Sequence, residues 1–196
     1  MARRKTFDPE LALDRAVELF WALGYEATTV NALVDAMGIS RQSLYDTFGD
    51  KQALFVRALD RFNRTHVDRW LAGVEQPDAA GDALRAFFAA VPQVFGGDPQ
   101  RRSCLLVNTM SERPADPESL ARTRAHRLRL EGVFTAALQR AAERGEVQLT
   151  LPARAHARAL AGVILGITVA SKSGASVEAL TDMSRVALVG LGLSLE

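Results

Sequence analysis

The sequence is short of several features that mark common protein chemistries. It has one cysteine, Cys104, so no intrachain disulfide framework can form and the chain suits a reducing compartment such as the cytoplasm. It has almost no net charge: 24 lysines and arginines face 23 aspartates and glutamates. Without a global basic field, affinity for nucleic acid must come from the placement of a few cations. It has no long apolar run either. The most apolar stretch, residues 159–170, is interrupted by Gly162 and Gly166 and is too short to cross a bilayer. A charged N-terminus predicts no secretory signal, hence a soluble protein with no membrane partner. His66, His126 and His156 are scattered and show no metal-ligand spacing with carboxylates. No glycine-rich loop follows a strand, and no nucleophile has an evident base. We therefore expect no enzyme activity, no catalytic residues, no cofactor and no metal.

What is present is helical periodicity, organised around residues 28–55. Thr28 or Thr29 can cap a helix whose Leu33, Val34 and Met37 share one face. Gly38 ends that helix, since glycine reaches the left-handed conformation without strain. Ser40 can cap the next one at once, so the two helices cross steeply in a helix-turn-helix. In the second, Leu44 and Phe48 lie four apart and form a buried seam with Ile39. Arg41, Gln42 and Ser43 are left on its exposed first turn, the part that meets base edges when a helix lies in the major groove. Arginine suits guanine, glutamine suits adenine, and serine can bond a base or a phosphate. Tyr45 lies off the seam within reach of a phosphate. Asp50 caps the following helix and puts Lys51 in its first turn, a second phosphate site. Arg3, Arg4 and Lys5 form a short basic arm that either follows the DNA backbone or only solubilises the terminus.

Phe20, Gly24, Tyr25, Thr28, Thr29, Gly38, Ser40, Leu44, Tyr45, Phe48, Lys51, Leu54 and Phe55 together resemble the DNA-binding segment of the TetR family of transcriptional regulators. Asp46 and Thr47 depart from it, standing where many members carry histidine or tyrosine. An acidic Asp46 would be repelled by phosphate, so no DNA contact is carried onto it. The resemblance implies an all-α homodimer. Residues 6–66 would form a three-helix DNA-binding domain and residues 67–196 a helical bundle for ligand binding and dimerisation. DNA-contacting candidates are Arg4, Lys5, Thr28, Thr29, Arg41, Gln42, Ser43, Tyr45 and Lys51.

Further along, Asp8 with Pro9 opens the first helix, and Asp116 with Pro117 opens a long one ending before Gly145. Leu84, Phe87, Phe88, Val91 and Val94 mark a buried helix face, which Pro92 either kinks or ends. Arg122, Arg124, Arg127 and Arg129 read as a solvated face, with Leu120 and Leu128 among that helix's apolar positions. The last two helices, after Pro152 and Ser176, are apolar on more than one face. A second buried face is therefore needed, and a four-helix interface with another copy supplies it. In the helices lining the family's cavity stand Phe88, Phe95, Cys104, Val107, Asn108, Met110 and Phe134. Each is equally at home in a core except Asn108, whose amide needs a partner. Cys104 has two readings: a buried apolar residue, or an electrophile or redox sensor whose thiolate is favoured by a helix start and by Arg101 and Arg102. The functional expectation is a repressor released from a pseudo-palindromic double-stranded operator by a small-molecule effector. The alternatives are sensing through Cys104, or a helical ligand-binding module without DNA binding.

Overall fold

The computed structural model describes residues 7–100 and 102–195, and these are helical with no strand among them. Arg3, Arg4, Lys5 and Arg101 lie outside the described residues. Helix α1 (Pro9–Ala27) starts where expected, with Asp8 accepting the Glu10 N–H at 2.9 Å and Pro9 in the first turn. It buries Leu13, Ala16, Val17 and Phe20. Helices α2 (Val30–Met37) and α3 (Arg41–Phe48) are joined by Gly38 at φ 68°, ψ 35° and capped by Thr29 and Ser40. Leu33, Met37, Leu44 and Phe48 close the three-helix unit over Phe20 and Phe55.

Asp50 caps α4 (Lys51–Phe62), which passes through a π-helical turn (Asn63–Val67) into α5 (Asp68–Leu71). The dihedrals stay right-handed at both junctions, so one rod leads from the head into the body. A file of aromatic contacts follows it. Trp21 meets Phe62 edge-on at 5.0 Å, Phe62 stacks on His66 at 4.7 Å, and Trp70 meets Phe95 at 5.2 Å.

The body adds α6 (Gly81–Gly96), α7 (Leu105–Glu112), α8 (Pro117–Glu143), α9 (Ala153–Lys172) and α10 (Val177–Val189). Pro92 does not end α6, which runs on to Gly96 with the proline itself buried. Val94 is exposed and departs from the expected buried face, and the apolar positions Leu120 and Leu128 of α8 are exposed as well. Phe87, Phe88 and Phe134 form an aromatic centre with ring separations of 5.4–5.6 Å.

The arginine row of α8 is not a simple solvated face. Arg122 grips both oxygens of Asp60 on α4, at 2.8 and 3.0 Å. Arg129 grips both oxygens of Glu75 at 2.7 Å and also reaches Asp68. Arg127 pairs with Glu131 of its own helix. The expectation failed because α8 lies along the acidic edge of the α4–α5 rod, which sequence spacing does not reveal. Part-exposed pairs of this kind contribute about 0–1 kcal/mol each, so their main effect is to fix orientation.

By length and composition α9 is apolar enough to cross a membrane, although the apolar run counted along the sequence is not. Its first turns carry Arg154 and Arg158, and it packs against α8 and α10. Only 33% of its most apolar window is buried.

Gly24, at φ 78° and ψ 175°, ends the regular part of α1. A β-carbon there would lie 2.5 Å from a carboxylate oxygen of Glu112. Only glycine occupies that backbone region without strain. Gly24→Ala is expected to lower the unfolding free energy by about 1–3 kcal/mol, measured by urea denaturation.

Candidate nucleic-acid interface and ligand cavity

The first turn of α3 is presented to solvent as the sequence expects. Arg41 is exposed and donates to Asn31 Oδ1 at 2.5 Å. Gln42 is exposed and donates to Asp46 Oδ1 at 2.7 Å. The half-buried Ser43 shares a 2.9 Å hydrogen bond with the Ser40 hydroxyl, and Tyr45 is 41% exposed. Asp46 therefore serves as an internal anchor for Gln42. Asn31 escaped the sequence reading; its proximity to Arg41 exists only because the short turn folds the start of α2 beside the start of α3.

Thr29 is exposed and its hydroxyl accepts the Ala32 N–H at 3.1 Å, which leaves the α2 N-terminus open to an anion. Thr28 must be corrected. It is wholly buried, and its hydroxyl donates to the Gly24 carbonyl at 2.6 Å, so its side chain fastens the end of α1 and is unavailable to phosphate. Lys51 holds its Nζ 4.1 Å above the Tyr25 ring, and the Arg113 guanidinium lies 3.8 Å from the same ring. Burial, together with the Arg113 charge, pulls the Lys51 pKa below its usual value. A phosphate at this position would offset both effects.

The body holds a partly open cavity of about 360 Å³ between α5, α6, α7, α8 and α9. Of the seven expected pocket residues, Phe95, Cys104 and Val107 line it. Phe88 and Phe134 are fully buried in the aromatic centre instead. Met110 faces elsewhere, and Asn108 satisfies its amide locally by donating to the Arg102 carbonyl at 2.8 Å. Trp70, Phe87, Leu130, Ile164 and His126 supply wall that sequence reasoning missed, because a pocket-lining position and a core position share the same periodicity.

Cys104 is the N-cap of α7, and this part of its reading holds. The favoured thiolate does not. The residue is 2% exposed, and burial pushes the thiol up to about 11, outweighing the backbone N–H groups of Val107 and Leu106. Arg102, expected to help, is directed to Asp98, Glu18 and the face of Trp21. Burial thus favours the protonated thiol and the reading of Cys104 as a buried apolar residue.

Comparison with known proteins addresses the whole chain. The family model described as bacterial regulatory proteins, tetR family, matches residues 12–58, and that described as tetracyclin repressor-like, C-terminal domain, matches residues 80–187. The uncharacterized HTH-type transcriptional regulator YezE of Bacillus subtilis (strain 168) is 33% identical over 96% of this chain and 98% of its own length. The chain belongs to the TetR family. It is thus a DNA-binding transcriptional regulator. The HTH-type transcriptional repressor ComR of Escherichia coli (strain K12) is 31% identical over 95% of this chain and 90% of its own. Among solved structures, a cysteine-substituted form of the TetR family regulator CifR, complexed with 26-bp double-strand operator DNA, matches with a TM-score of 0.82. It is 27% identical over 97% of this chain and 100% of that one.

Within this TetR-family framework α7 touches both the cavity and the head. Cys104 and Val107 are in the cavity wall, while at the other end Glu112 accepts the Tyr25 N–H at 3.0 Å. Arg113 reaches Glu26, Gln52 and Asp116. Hydrogen bonds from Ser119, then from Gln52 and Arg113, hold the Asp116 carboxyl down at about 2.

His126 is 6% exposed, and burial, with the Arg129 charge, lowers its pKa to about 4. Because the unfolded histidine titrates near its ordinary value, the unfolded state binds more protons between about pH 6.5 and pH 4. Stability is therefore expected to fall as pH drops through that window, by up to about 3 kcal/mol from this group. Urea unfolding at several pH values checks it: His126→Leu should flatten the slope, and an unchanged slope would contradict the burial argument.

Proposed function

We propose that the chain is a repressor that binds a pseudo-palindromic operator as a homodimer and releases it when a small molecule fills the cavity. Residues 6–66 act as the DNA-binding domain and residues 67–196 as the ligand-binding and dimerisation domain. The chain works in the cytoplasm by binding rather than by catalysis. The observation that carries this reading is the exposed first turn of α3, with Arg41, Gln42 and Tyr45 presented beside the capped starts of α2 and α4. Arg41 and Gln42 would read bases, while Thr29, Ser43, Tyr45 and Lys51 would hold phosphates. Arg4 and Lys5 would extend the contact as an arm.

Dimerisation is supported by an uncovered apolar face on the last two helices. Val169 is 59% exposed, Val186 74% and Val189 60%. Gly162 has open space where its β-carbon would be, so a second helix can approach closely there. Two α3 helices brought together by this face would meet successive major grooves on one side of the duplex.

The α4–α5 rod and α7 each join the cavity wall to the head, through Trp70 and Leu71 on one and Cys104 and Val107 on the other. A ligand that separates these walls would tilt the head and change the spacing of the two reading helices. A hundredfold preference for the non-binding state corresponds to about 2.7 kcal/mol of coupling.

Two experiments test this reading. Binding-site selection from random duplex DNA should enrich a palindromic sequence. Arg41→Ala should cost about 1–3 kcal/mol and relax specificity at one position of each half-site. Lys51→Ala should weaken all sequences alike and reduce the salt slope by about 2, one for each copy in the dimer. No enriched sequence at low salt would sink the regulator mechanism. Separately, Val186→Asp should convert the protein to a folded monomer in sedimentation equilibrium. A Val186→Asp dimer would exclude this face as the interface.

A further inference from the structure

The wall of the cavity carries information about what it holds. Trp70, Phe87, Val91, Phe95, Leu130 and Ile164 make most of it apolar, and no aspartate or glutamate reaches it. Its one charged lining residue, Arg69, is exposed and forms no ion pair among the described residues. A cationic ligand would therefore lose its hydration without gaining a counter-charge.

His126 is different from the rest of the wall. Its side chain is more than nine-tenths buried, and Nδ1 has no hydrogen-bond partner. Thr168, which brings a hydroxyl to the same wall, already donates to the Leu165 carbonyl at 2.7 Å. A buried polar atom left unpaired costs about 1–3 kcal/mol, which a leucine or phenylalanine at this position on α8 would avoid. The ring also lines a second crevice, formed with Leu59, Asp60, Asn63 and Arg64, and so stands between the cavity and the π-turn of the rod. Burial and the Arg129 charge keep the imidazole neutral near pH 7, so it offers one N–H donor and one lone pair. A carboxylate would prefer the protonated ring, which this site opposes, and the exposed Arg69 offers it only a charge screened by solvent. A hydroxyl both donates and accepts, and so suits either tautomer.

We propose that the cavity takes an uncharged, aromatic or fused-ring alcohol or phenol, whose hydroxyl hydrogen-bonds the His126 imidazole while its ring system fills the apolar wall. This rests on reading the cavity as the effector site. A volume of about 360 Å³ lies at the small end of ligand pockets, which favours one or two rings over a larger scaffold. Nδ1 itself is closed off, so the hydroxyl meets this nitrogen only when the ring turns into the cavity, at the position that abuts the rod.

The test is equilibrium dialysis of the full chain, without DNA, against naphthalene, naphthol, naphthoate and naphthylmethylammonium. Naphthol should bind about tenfold or more tighter than naphthalene, with the two ions weaker than both. His126→Leu should keep naphthalene binding and remove the preference for naphthol, and His126→Gln should retain part of that preference. His126→Leu should melt at or above the wild-type temperature, since it removes an unpaired buried group. If it does not fold, His126→Gln and the wild-type ranking decide. Equal binding of naphthol and naphthalene, tighter binding of either ion, an undiminished preference in His126→Leu, or no binding of any probe would overturn the proposal. Operator binding measured in parallel separates the two readings. A protein that holds operator but binds no probe loses the ligand assignment alone. One that binds naphthol yet never releases operator loses the effector role and keeps the site chemistry.

Discussion

Glu112 accepts the backbone N–H of Tyr25 at 3.0 Å in a gap that exists because residue 24 has no side chain. The contact joins the last turn of α7 to the end of α1, immediately before the helix-turn-helix. Around it Arg113 covers one ring of the head, Tyr25, and reaches Gln52 at the start of α4. At the other end of α7 the Trp21 indole donates to the Ser103 carbonyl at 2.7 Å, and Arg102 lies over the same indole while pairing with Glu18. Helix α1 is thus held to the body at two places. The angle of the helix-turn-helix follows from that grip, since α2 packs on α1 and α3 on α4.

A second connection runs in parallel. The α4 rod passes from Lys51 in the head to Leu71 in the cavity wall, and Arg122 and Arg129 clamp it to α8 through Asp60, Asp68 and Glu75. The π-turn at Asn63–Val67 interrupts the regular hydrogen-bond ladder midway, beside the crevice that His126 lines. Such turns are uncommon and recur at functional positions. One connection is rigid through ion pairs and aromatic stacking, the other through a hydrogen bond at a glycine. Both run from the cavity wall to the head.

Local rules made much of this legible from the sequence. Asp8, Thr29, Ser40, Asp50, Asp116 and Ser176 all cap helices, and Gly38 takes the left-handed conformation, because each depends on residues only a few positions away. The exposed Arg41 and Gln42 were equally visible, since two buried residues, Leu44 and Phe48, fix which side of a two-turn helix faces out. The cavity was not. Phe88 and Phe95 occupy similar positions on α6, yet one fills the aromatic centre and the other lines the void, and only the packing of α8 and α9 decides between them. The arginines of α8 were misread for the same reason, and the same packing decides between the two readings of Cys104. Their partners and their burial come from elements some 50 or more positions away in sequence.

The most direct test is electron–electron resonance between nitroxides attached at Asp46→Cys in the two reading helices of the proposed dimer, with and without Glu112→Ala. Cys104 is enclosed and should not take the label. A narrow separation that broadens or shifts in Glu112→Ala, with weaker operator binding and little change in the melting of the body, is the result expected if the α7 grip sets the head. An unchanged distribution with unaltered operator affinity would contradict it.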